Sequence, residues 1–124
     1  MIKLIALGLV LLLTASQVHA ERLLPEKEYQ GIWCSAHYGE LEVTLTDRTR
    51  VDCLTADYAV EVDFANKWAE AIGQSLHYAR MSARRPGIVI IVETPADMKH
   101  YNLLTDAVKY ICPRITVWKI EPNT

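Results

Sequence analysis

The chain has 124 residues, 13 basic against 15 acidic, and a formal net charge of −2. One domain is the default at that length. The slight acidity makes the chain a poor general nucleic-acid binder, since such affinity comes mostly from neutralising phosphates, and leaves action on nucleic acid to a local basic patch.

The first twenty residues differ from the rest. Met1-Ile2-Lys3 supplies a positive start, Leu4 to Leu13 is apolar apart from Gly8, and Thr14 to Ala20 turns polar before ending Val18-His19-Ala20. Charge, apolar run and small-residue site follow the order of a secretory signal peptide, which predicts cleavage after Ala20. A spanning helix needs about 20 apolar residues, and this run is about half that, so no stable membrane anchor is expected after cleavage. No cysteine stands at the cleavage point to carry a lipid. The expected mature protein is a single domain, Glu21–Thr124, periplasmic or secreted. Loss of Lys3 leaves 12 basic and 15 acidic residues, a formal charge of −3.

Glu26 to about Ala36 reads as a short helix that follows Pro25 and ends before Gly39. Leu41 to Leu45 alternates apolar and polar residues, the pattern of a half-buried strand. The polar turns Thr46–Thr49 and Thr55–Asp57 separate it from Arg50–Leu54 and Tyr58–Phe64, so three strands form a meander. From Ala65 the period becomes helical, with Trp68, Ile72, Leu76 and Ala79 as one apolar stripe and Lys67, Gln74 and Tyr78 beside it. Pro86-Gly87 is expected to end that segment. Ile88–Val92, apolar throughout, has the signature of a central strand covered on both faces. A helix from about Ala96 to Tyr110 buries Met98, Tyr101, Leu104 and Val108, and Ile115 to Trp118 begins a last strand. Helix, three strands, helix, strand, helix, strand predicts an α/β (α+β) domain with a mixed sheet and helices on both faces.

Export changes the meaning of Cys34, Cys53 and Cys112, since disulfides persist in oxidising compartments. An odd count allows one intramolecular pair. Cys34–Cys53 is favoured because the strand carrying Cys53 should lie near the first helix or its exit. The spacings match no zinc site.

Side chains alternate faces along a strand, so Glu61 and Asp63 share one face and Val60, Val62 and Phe64 the other. Asp52 and Glu61 are nearly symmetric about the Thr55–Asp57 turn and should be cross-strand neighbours. Two or three carboxylates on one face repel unless a proton or cation intervenes, and they suit a hard divalent ion that prefers oxygen ligands.

Asp52, then Glu61-Val62-Asp63 on the following strand, then Gln74-Ser75-Leu76-His77-Tyr78 on the next helix, resembles the PD-(D/E)XK nuclease superfamily. Glu40 is a weak match to that family's early acid. The resemblance spans roughly residues 28–117 and departs at one point, since Asp63 stands where the family places its lysine. Lys67, in the first turn of the next helix, is positioned to replace it. The resemblance implies a three-layer restriction-endonuclease-like core and phosphodiester hydrolysis with Mg²⁺ or Mn²⁺. Asp52, Glu61 and the Val62 carbonyl would hold the ion; Asp63 is either an added ligand or a partner of Lys67. Lys67 would orient water or offset charge, and Gln74 would position the lysine or a substrate phosphate.

Other readings of the same residues stay open. Asp63 also suits a helix N-cap, Lys67 a solvated helix position, and His37, His77 and His100 surface sites. The whole domain could be a non-catalytic periplasmic binding or structural module derived from the nuclease fold.

Overall fold

The computed structural model describes residues 21–123, so the leader and its cleavage site lie outside the described residues. Helix α1 (Glu26–Ala36) precedes strands β1 (Glu40–Thr44), β2 (Arg50–Leu54) and β3 (Tyr58–Phe64). A 3-10 turn, Ala65–Lys67, leads into α2 (Trp68–Ser82), followed by β4 (Arg85–Ile91), a second 3-10 turn, α3 (Met98–Ile111) and β5 (Thr116–Ile120). The five strands form one sheet in chain order, β1-β2-β3-β4-β5. Pairing is antiparallel from β1 to β3 and parallel from β3 to β5. The expected α/β class with a mixed sheet is the class observed.

Alternation along β3 sets the two faces. Val60, Val62 and Phe64 pack with Val89 and Ile91 against Tyr29, Trp33 and Cys34 of α1. On the other face Ile88 and Ile90 pack with Ala71 of α2 and with Leu104 and Val108 of α3. One helix thus covers one face and two cover the other. Ile88 through Ile91 are fully buried, as a strand covered on both sides must be.

Two sequence expectations need correction. Leu76 is 40% exposed, and α2 buries the small residues Ala71, Ser75 and Ala79 instead. Short side chains at i, i+4 and i+8 bring the helix close to β3 and β4, so the larger residues are pushed to the flanks. Pro86 and Gly87 do not end an element but lie inside β4, opposite Ala59 and Val60. Pro86 precedes the first β4–β5 pair, Gly87↔Thr116, where its missing N–H is tolerated as on an edge strand.

Cys34 and Cys53 form a disulfide with Cα atoms 5.7 Å apart, tying α1 to β2. Cys112 is free and half-buried. The bridge points to an oxidising environment. Among the described residues no helix is long and apolar enough to cross a membrane.

Candidate functional site

The β2–β3 ladder pairs Cys53 with Val60 and Leu54 with Ala59. Continuing that register sets Asp52 opposite Glu61, on the face turned away from α1. Here a side chain enters the ladder: Asp52 Oδ2 accepts the Val62 N–H at 2.8 Å. From the opposite face Gln30 Nε2 donates to the Asp52 carbonyl at 3.0 Å. The acid is therefore held at both its backbone and its carboxylate.

The Asp52 and Glu61 carboxyls hydrogen-bond each other. Glu61 is only 6% exposed, and its Oε2 is buried without a hydrogen-bond partner. Burial pushes the Glu61 carboxyl up to about 9, helped by the charge and hydrogen bond of Asp52 and by the charge of Asp63. Burial also raises Asp52, but the Val62 N–H and the Glu61 bond pull it back to about 6. Two carboxyls can share a hydrogen bond only if one keeps a proton. Glu61 is the group whose surroundings hold that proton.

Asp63, 5% exposed, lies on the same face, and its Oδ1 accepts its neighbour's backbone N–H, that of Phe64, at 2.9 Å. That is a local bond, not an N-cap of the turn that follows, which has no side-chain cap. Burial raises Asp63 to about 7; the Glu26 charge adds to the shift and Lys67 opposes it. Lys67 closes the 3-10 turn with its side chain exposed, within the field of Asp63. Gln74 is exposed on α2 and hydrogen-bonds Tyr78. The Tyr78 phenol is raised by burial first and then by the charges of Glu61 and Asp52, so this ring borders the acid pair. The structure therefore gathers Asp52, Glu61 and Asp63 in one place, with Lys67 on the Asp63 side and Gln74 joined to the site through Tyr78.

Two acids belong to this cluster that sequence reasoning did not choose. Glu26, in the first turn of α1, hydrogen-bonds Asp63, and its charge also raises Asp52 and Glu61. Acids are favoured in any first turn by the helix dipole, which hides a second role. Glu42, midway along β1, also raises Asp52 and lies 3.8 Å from Lys27. Its φ of 52° is left-handed backbone inside a strand, a strained conformation for a residue with a side chain. Glu40 is exposed at the start of β1. At the rim His77 Nε2 meets Asp47 Oδ2 at 2.6 Å, joining α2 to the β1–β2 turn, and Thr49 holds the Asp47 carboxylate low.

The donor set is all carboxylate oxygen, the chemistry of a hard divalent cation. Among the described residues no group of three or more His, Cys, Asp or Glu is arranged to hold a metal ion. An ion bound here would be taken by two carboxylates, Asp52 and Glu61, with water completing its shell, as Mg²⁺ commonly binds. Glu61 Oε2 is buried and without a hydrogen-bond partner.

No protein-family model, curated protein or solved structure matches this chain.

Proposed function

We propose that the chain is an exported, metal-dependent nuclease of the PD-(D/E)XK type that hydrolyses nucleic-acid phosphodiester bonds, working in the periplasm or outside the cell. The observation that carries this reading is the meeting of Asp52 and Glu61 on one sheet face, with Glu61 Oε2 buried and partnerless. The chain order of the five strands and the helices on both faces agree with the restriction-endonuclease-like arrangement.

Asp52 and Glu61, with the Val62 carbonyl, would hold Mg²⁺ or Mn²⁺. Such an ion lowers the pKa of bound water and stabilises charge on the phosphate. Gln30 and the Val62 N–H keep Asp52 from rotating away. Asp63, beside Glu26, lies within the field of Lys67, whose ammonium would orient water or offset negative charge on the phosphate. Gln74 steadies Tyr78 at the border of the pair.

The test uses protein 21–124 with Mg²⁺ or Mn²⁺ on single- and double-stranded DNA and RNA. Cleavage abolished by Asp52→Ala and by Glu61→Ala supports the reading. No calorimetric cation binding and no cleavage of any substrate rejects it.

A second reading, a non-catalytic periplasmic module, is favoured by the acids bonding one another and by the lack of a ready three-ligand group among the described residues. Normal cellular function after Asp52→Asn with Glu61→Gln would select it.

A further inference from the structure

On the opposite side of the sheet from the acids, the exposed His37 lies over the buried Trp33, beside the half-buried Trp118 and Tyr58. Trp33 and the exposed His37 stack at 3.8 Å with planes 12° apart. His37 Nδ1 lies 2.7 Å from the Trp33 carbonyl oxygen. A carbonyl only accepts, so Nδ1 is the donor, and the neutral ring keeps Nε2 as a free acceptor. His37 is thus held flat, one face on indole and the other open. Trp118 stands 5.1 Å from Trp33 at 55°, which makes the platform a corner, and Tyr58 abuts Trp118 edge-on at 5.0 Å.

The corner depends on a residue without a side chain. A Cβ on Gly87 would lie 2.7 Å from the Trp118 ring and 3.2 Å from Val60. Trp118 can lie across β4 only because position 87 is glycine.

Two concavities share this wall of Trp33, His37 and Trp118. One, of about 280 Å³, runs toward Lys119, and the other, of about 230 Å³, toward Asp57 and Tyr58. Each has room for one small ring. Their rim charges are balanced: Arg85 lies over Tyr58 at 4.4 Å and 3.9 Å from Asp57, and Lys119 is 2.9 Å from Glu121. A polyanion would need uncompensated cations, and neither basic residue is one. A neutral ligand with apolar faces and hydroxyl edges fits instead. Aromatic rings cover apolar faces, while the His37 Nε2 and the Asp57 carboxylate accept hydroxyl protons.

We propose that the Trp33–His37–Trp118 corner binds neutral carbohydrate, seating one pyranose ring in each concavity. This site faces away from Asp52 and Glu61 and does not rest on the nuclease reading.

The test titrates chitotriose, cellotriose and, separately, an oligothymidylate into protein 21–124 up to millimolar concentration, following the indole N–H resonances by NMR. A trisaccharide should shift Trp33 and Trp118 and leave Trp68, on the other face, unmoved. His37→Ala, at an exposed position, should weaken binding about two- to tenfold, the effect of losing one stacked ring. Trp118→Phe, which keeps a ring in the core, should weaken it less. The proposal is overturned if neither sugar shifts these resonances, if His37→Ala binds as well as the parent, or if only the oligothymidylate produces the shifts.

Discussion

Asp52 Oδ2 accepts the Val62 N–H at 2.8 Å, so a side chain ten residues away takes a place that main chain would otherwise fill in the β2–β3 ladder. Val62 is fully buried. Leaving a buried N–H unpaired costs about 1–3 kcal/mol, so Asp52→Ala should destabilise by that amount. Asp52→Asn keeps an acceptor oxygen and should cost less than half as much. Urea unfolding of both variants checks this. Equal losses would show that the charge of Asp52, and not its bond to Val62, supports the strand.

The acid cluster predicts an inverted pH profile. An acid whose folded pKa lies above its unfolded value binds more protons in the folded state, so its stabilisation is full below the unfolded value and is lost as pH rises through the folded one. For Glu61 that window runs from 4.5 to about 9, and for Asp52 and Asp63 from 3.8 to about 6 and about 7. Without divalent ions, protein 21–124 should be more stable near pH 5 than near pH 9, by a few kcal/mol. Glu61→Gln removes the widest window and should flatten the slope above about pH 7. Melting temperatures across a buffer series decide it; stability that rises with pH would mean that water reaches these carboxyls.

The Cys34–Cys53 bridge closes a separation of 19 residues beside Asp52. A loop of that size is worth about 3 kcal/mol, so Cys34→Ala with Cys53→Ala should lose that much. Both sulfurs crowd Gly39, where an added Cβ would lie 2.3 Å from the Cys53 Sγ and 2.7 Å from the Cys34 Sγ. Gly39→Ala should therefore destabilise by about 1–3 kcal/mol through overpacking. Thiol titration of the unreduced, denatured protein should find one reactive group, Cys112. Three would contradict the bridge.

The fold was largely legible because its signals are local. Alternation in Leu41–Leu45, the polar turns that set off Arg50–Leu54 and Tyr58–Phe64, and the apolar run from Ile88 named the sheet, and near-symmetry about Thr55–Asp57 brought Asp52 to Glu61. What escaped the sequence depends on close approach. Leu76 resembled core because period alone cannot show that Ala71 and Ser75 bring α2 too near the sheet for leucine. Pro86-Gly87 resembled a break because only the placement of β5 reveals where β4 becomes a shared strand. Glu26 escaped because it reaches the cluster from a helix that packs on the other face, a relation no spacing encodes.

Lys67 is either a catalytic ammonium or a solvated helix lysine, and the two roles predict different kinetics. Its side chain is exposed at the end of the 3-10 turn, and Asp63 lies within its field. Exposed substitutions away from special features change stability by less than about 0.5 kcal/mol, so Lys67→Met should melt like the parent. If this ammonium replaces the lysine that Asp63 displaces, it acts only as charge develops on the phosphate. Removing it should then lower kcat on the order of 10²–10³-fold, the range for losing one charge-stabilising group. KM should change little, because the interaction is absent from the ground state. Lys109→Met, exposed in the last turn of α3, is the control and should leave turnover unchanged. Parental kcat in Lys67→Met would assign Lys67 to solvent, and the motif would then lack its basic member.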